Sequence, residues 1–118
     1  LNHPNMPTDK IPYWDFNAPT IPNALRDASA ASIIASGLLE LSSYTKGKES
    51  SSYVDAARQI IVKLASDEYL AKPGENGGFL LKHGVGFFNA NSEVDQPLTY
   101  GDYYFLEAMH RYKEWILK

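Results

Sequence analysis

The sequence predicts an all-α fold, and three observations carry that reading. Residues 27–44 are apolar or small on nearly every helical face. Residues 51–66 hold a single apolar stripe, and residues 101–117 set Phe105, Ala108, Met109, Tyr112 and Ile116 at the i, i+3, i+4, i+7, i+11 spacing of one helix face. Polar, glycine-containing segments separate these stretches, which is the pattern of helical hairpins. At 118 residues the chain has the size of one small domain, with the apolar content of an ordinary globular protein.

Residues 1–26 come first and carry five of the seven prolines, Pro4, Pro7, Pro12, Pro19 and Pro22, so neither a helix nor a central strand runs through them. Tyr13-Trp14-Asp15-Phe16 sets three aromatics around one carboxylate, which a solvated tether would not need. The stretch reads as an extended loop packed onto the body. Asp27 then opens a helix over 27–44, its side chain suited to an N-cap and its charge to the positive helix end. Ala28, Ala30, Ala31, Ile33, Ile34, Ala35, Gly37, Leu38, Leu39 and Leu41 make it apolar or small on nearly every face, so it reads as an inner-layer helix.

Thr45 to Ser50 reads as a polar turn with a glycine stop at Gly47. In the helix over 51–66, Tyr53, Ala56, Ala57, Ile60, Ile61 and Leu64 form the stripe, while Asp55, Arg58, Gln59 and Lys63 lie largely off it. One stripe with a polar back describes an outer-layer helix. Lys72 to Gly78 is a turn region, and Phe79-Leu80-Leu81 is a short apolar run leading, as a brief strand or extended segment, to His83. Gly84 and Gly86 permit backbone angles that other residues resist, so the loop turns sharply and holds His83 in one direction. Phe87 to Thr99 mixes Asn, Ser, Asp and Pro and reads as an ordered loop rather than a strand or helix. The last helix follows over 101–117.

Charge and composition remove several function classes. The net charge of −3 gives no reason to expect nucleic acid or an anionic membrane as partner. No apolar run approaches the roughly 20 residues of a membrane span. Without cysteine there is neither disulfide nor thiolate chemistry, and redox says nothing of whether the compartment is cytoplasm or periplasm. The chain begins at Leu1, so the lack of a signal-like segment carries little weight. No metal or cofactor is called for: His3, His83 and His110 are scattered, and Gly84-Val85-Gly86 lacks the third glycine of a dinucleotide loop.

The candidate site residues each have a plain alternative. Trp14 beside Asp15 either offers a sugar ring an aromatic face or anchors the proline-rich loop to the core. Arg26 stands at the positive end of a helix and calls for an anion, either Asp15, Asp27 or Asp95 in a structural pair, or the carboxylate or sulfate of a ligand. His83 is a hydrogen-bonding ligand contact or a histidine satisfied within its loop. Tyr100, Asp102, Tyr103 and Tyr104 read as an aromatic, capped helix start, Asp102 serving the helix dipole.

Four segments together resemble the unsaturated glucuronyl hydrolases, family 88 of the glycoside hydrolases. They are Pro12 to Phe16; Arg26 to Ala31 running into Ala35 to Leu41; His83-Gly84-Val85; and Tyr100-Gly101-Asp102-Tyr103-Tyr104 through Ala108. Each motif is weak alone, but their order and spacing over residues 10–113 are specific. The resemblance implies a six-hairpin (α/α)6 toroid, of which residues 1–118 form a carboxyl-terminal segment of a single barrel domain. It implies an enzyme that removes a 4,5-unsaturated uronic acid from oligosaccharides made by polysaccharide lyases. In that chemistry an aspartic acid protonates C4 of the enol ether, water adds at C5, and the hemiketal opens to release the remaining sugar.

The same resemblance implies substrate contacts for Trp14, Arg26, Ser29, His83 and Tyr100. It assigns no catalytic residue to this segment, because the catalytic aspartates of the family lie upstream of anything that matches. Phe87 to Ser92 lacks the basic residue that some relatives hold there for a sulfated partner sugar. The chain alone is therefore expected to be inactive, and to need the rest of the barrel or self-association to fold. The competing reading is a non-catalytic carbohydrate-binding or interaction module of helical hairpins. Further helical hairpins upstream of Leu1 would separate the enzyme from that module.

Overall fold

The computed structural model describes residues 1–118 and is mainly helical, with one small sheet. Helix α1 spans Ala28–Tyr44 and α2 spans Gly47–Leu64. A hairpin of β1 (Gly84–Phe87) and β2 (Ser92–Gln96) precedes α3 (Thr99–Arg111), which continues into a π-type turn at Tyr112–Ile116.

Asp27 begins α1 as its sequence implies: its Oδ1 accepts the Ser29 backbone N–H at 3.0 Å. Serines are then buried along the helix without penalty, because Ser32 and Ser42 return their hydroxyls to the carbonyls of Ser29 and Leu39. Ala28, Ala31 and Ala35 are fully buried, and their small side chains let both other helices come close.

Only Thr45 and Lys46 join α1 to α2, and Ser50 Oγ closes the hairpin by donating to Ser42 O at 2.9 Å. The expected stop at Gly47 is thus corrected to a start. Gly47 takes φ +61°, and that left-handed residue makes the reversal from which α2 sets out, earlier than Ser51. Ala56, Ala57, Ile60 and Leu64 face the core while the back of α2 stays polar. α1 buries nine residues against four in α2, the contrast that separates an inner from an outer helix. α3 buries only Gly101, Phe105 and Ala108 within this chain.

α1 and α3 run parallel. Moving along both, Gly101 abuts Ser29, Glu107 accepts from Ser36 Oγ at 2.5 Å, and Arg111 pairs with Glu40 at 2.9 Å. Phe105, Leu39, Ile60 and Leu64 fill the space among the helices. Each such burial contributes about 1.5–3 kcal/mol. Both helices also keep exposed apolar side chains: Ile33, Leu41 and Tyr44 on α1, Tyr103 and Leu106 on α3.

The β hairpin corrects the all-α expectation and the reading of 87–99 as a loop. Gly84, Val85 and Phe87 pair with Gln96, Val94 and Ser92, so Asp95 is an extra residue bulged out of the ladder. β2 is largely exposed and Asn91, Glu93 and Asp95 all have positive φ, so no alternating apolar pattern marks it as a strand. The glycines of β1 act through space rather than through φ. A side chain at Gly84 would lie 2.7 Å from the Gln96 carbonyl, whereas the left-handed residue is His83 itself, at φ +65°.

Phe79 to Leu81 forms no named strand, only a single bridge from Leu81 to Leu70. The proline-rich segment folds back on itself. Trp14 N donates to Leu25 O at 3.0 Å and Asp27 N to Pro12 O at 2.9 Å, and Tyr13, Ala18 and Ala24 make a small core of their own.

Candidate functional site

The hairpin, the proline-rich loop and the N-terminal ends of α1 and α3 meet at one end of the helix layer. Asp27 organises that end. Besides the Ser29 backbone, its Oδ1 accepts Ser29 Oγ–H at 2.6 Å and the Val85 N–H of β1 at 3.1 Å. The first N–H of α1, on Ala28, donates to the His83 carbonyl at 3.0 Å. One buried carboxylate therefore starts the helix and also fixes the hairpin over it, a duty beyond the N-cap that the sequence suggested.

His83 sits where this hairpin leaves the body. Its Nδ1 lies 2.6 Å from Asp95 Oδ1, and its ring stands perpendicular to that of Tyr69 with centroids 6.0 Å apart. His83 and Asp95 both hold left-handed backbone, at φ +65° and +52°. Such a conformation costs a non-glycine residue on the order of 1 kcal/mol and persists only where the surroundings enforce it.

Trp14 stacks flat on Phe88 at the turn of the hairpin, with centroids 3.9 Å apart and planes 15° from parallel. Phe88 covers one indole face, and Trp14 remains half-buried. Phe88 escaped the sequence reading because its stretch carried only loop signals. Ser29 is buried between α1 and α3, beside Tyr100. Tyr100 is 41% exposed, and partial desolvation of its hydroxyl raises that group above its ordinary value.

Arg26 has a different anion from any expected. It donates to Asp9 Oδ1 at 2.9 Å and to the Ile11 carbonyl at 2.7 Å, with its guanidinium 4.8 Å above the Tyr13 ring. Asp15, Asp27 and Asp95 are otherwise engaged, and folding of the proline-rich loop delivers Asp9 from 17 positions upstream. No periodic signal encodes a partner supplied in that way. Asp102 also exceeds its expected dipole role: its two oxygens accept the N–H groups of Leu80 and Leu81 at 2.8 and 2.9 Å, tying α3 to the segment before His83.

Farther along the α1–α3 groove, the Ser36 hydroxyl holds the Glu107 carboxyl below the usual carboxylate range, with help from Tyr103 and Arg111. Three carboxylates at the hairpin end are already acceptors: Asp27 for two backbone N–H groups and a hydroxyl, Asp102 for two N–H groups, Asp95 beside the imidazole. What this end offers outward is aromatic surface with hydroxyl and imidazole groups beside it. That combination suits a ring bearing many hydroxyls.

No family model matches the chain. Among curated proteins it is 50% identical over all 118 residues to an unsaturated glucuronyl hydrolase of Formosa agariphila, spanning 29% of that protein. It is 35% identical over 108 residues to the unsaturated glucuronyl hydrolase of a Bacillus species, covering 90% of this chain and 28% of that protein. A crystal structure of an unsaturated glucuronyl hydrolase specific for heparin superposes with a TM-score of 0.92 at 56% identity, over 96% of this chain and 30% of the other. The four-segment resemblance is borne out: the chain is similar, over its full length, to under a third of an unsaturated glucuronyl hydrolase.

Proposed function

We propose that the chain is the carboxyl-terminal portion of an unsaturated glucuronyl hydrolase and supplies part of its substrate-binding wall. The observation that carries this is the 50% identity over all 118 residues to one such enzyme. In the proposed whole, α1 and α3 are inner helices of an (α/α)6 toroid and α2 an outer one. Their parallel course and the burial contrast between α1 and α2 support that assignment. The exposed Ile33, Leu41, Tyr103 and Leu106 are the surfaces on which neighbouring hairpins pack. Exposed apolar area costs about 25 cal/mol per Å², so an isolated segment would be driven to associate.

At the pocket, Trp14 presents its free indole face to a sugar ring. His83, Ser29 and Tyr100 contact the hydroxyl groups, and Arg26 supports the wall through Asp9 rather than reaching the ligand. The substrate is an oligosaccharide ending in a 4,5-unsaturated uronic acid. The acid that protonates C4 belongs to the remainder of the barrel, and Asp27 and Asp102 here are already committed as acceptors of backbone N–H groups. The test is turnover of an unsaturated uronyl disaccharide by the full-length protein, followed by loss of the ultraviolet absorbance of the double bond. His83→Ala should raise KM more than it lowers thermal stability. A large melting loss with unchanged kinetic constants would make His83 structural.

A further inference from the structure

Resting on the reading of His83 as a substrate contact, we propose that Asp95 is a positioning residue that sets which imidazole nitrogen faces the sugar. The 2.6 Å contact between His83 Nδ1 and Asp95 Oδ1 places the proton on Nδ1, because a carboxylate oxygen only accepts. In the neutral ring Nε2 is then an acceptor, the atom that can take a hydrogen bond from a sugar hydroxyl. Without Asp95 the ring would be free to rotate and to carry its proton on either nitrogen.

The backbone argues that this pair is arranged rather than incidental. Both side chains are close to half exposed, 45% for His83 and 43% for Asp95, and an exposed ion pair adds little to stability. The chain nevertheless holds both residues in the left-handed region and inserts Asp95 as a bulge opposite the Gly84–Val85 step. A bulge re-aims one side chain out of the ladder, and here it turns Asp95 toward the ring one residue before β1. The base is rigid as well, since the His83 carbonyl holds the first turn of α1 and the Val85 N–H is bound to buried Asp27. The Tyr69 ring stands perpendicular beside the imidazole. Fixed backbone, flanked ring and occupied Nδ1 leave Nε2 as the outward group.

The experiment compares the full-length protein with Asp95→Ala, Asp95→Asn, His83→Ala and the Asp95→Ala/His83→Ala double variant. On an unsaturated uronyl disaccharide, His83→Ala should raise KM about three- to tenfold, the loss of one hydrogen bond. Asp95→Ala should raise it to a similar extent, Asp95→Asn less because an amide oxygen still accepts, and the double variant no more than His83→Ala alone. Independently, the ring nitrogen-15 shifts of His83 should report the Nδ1–H tautomer in the unaltered protein and lose that preference in Asp95→Ala. An Nε2–H tautomer in the unaltered protein, or additive effects on KM, would overturn the proposal. No turnover by the unaltered protein would sink the hydrolase reading and the substrate role with it, while the nitrogen shifts would still decide whether Asp95 orients the ring.

Discussion

Gly101 of α3 lies so close to Ser29 of α1 that a methyl group on it would stand 3.1 Å from the Ser29 Cβ. Ser29 cannot easily give way, because it is buried and its hydroxyl is bound to Asp27. This contact sets the separation of the two parallel helices at the end where the candidate site residues gather.

Gly101→Val should therefore destabilise the protein by about 1–3 kcal/mol, the usual cost of overpacking. Gly101→Ala should cost less, since alanine recovers up to about 1 kcal/mol of helix propensity. Thermal melting of the full-length variants checks the order, and a valine variant as stable as the parent would show that the helices have room to move.

Asp27→Ala should be among the most damaging single changes in the segment. It removes an N-cap worth about 0.5–2 kcal/mol. It also strips the Val85 N–H of its acceptor, at about 1–3 kcal/mol more. Asp27→Asn keeps an acceptor oxygen and should recover much of the loss. Urea unfolding of both variants measures the difference.

Helical character was legible where side chains repeat. The small residues of α1 and the stripe of α2 are buried as their spacing required, because burial in a helix follows a fixed period. The β hairpin was not legible, since its partner strand is exposed, largely polar and interrupted by two residues of positive φ, Glu93 and Asp95. His83 was singled out through its glycines, yet the left-handed residue is His83, and Gly84 serves close strand approach. Asp9 and Asp95, the partners of Arg26 and His83, were not named as such because long-range folding delivers one and a bulge the other.

Tyr69 gives a pH-dependent signature. Burial, reinforced by Glu68, pushes its hydroxyl up to about 12 from an ordinary 10.0. A folded-state value above the unfolded one means that the contribution is complete below pH 10 and is lost as pH climbs toward 12. Urea midpoints across that range should fall more steeply for the parent than for Tyr69→Phe. Equal slopes would show that the hydroxyl does not titrate with unfolding.

Trp14→Ala should remove both the stack on Phe88 and the face offered to the sugar. With aromatic pairs worth about 0.5–1.5 kcal/mol beyond their buried area, KM should rise about two- to tenfold in the full-length protein. Trp14→Phe should restore part of it. Unchanged kinetics in Trp14→Ala, with lowered melting, would reduce Trp14 to an anchor of the proline-rich loop.

The central claim, that this chain contributes binding surface to a hydrolase whose proton donor lies elsewhere, is tested most directly by comparing turnover. Purified residues 1–118 and the full-length protein are each given an unsaturated uronic acid disaccharide, and the absorbance of its double bond is followed. The full-length protein should consume the substrate, and residues 1–118 alone should leave it intact. Turnover by residues 1–118 alone would contradict the account and place the catalytic acid on one of this chain's own carboxylates.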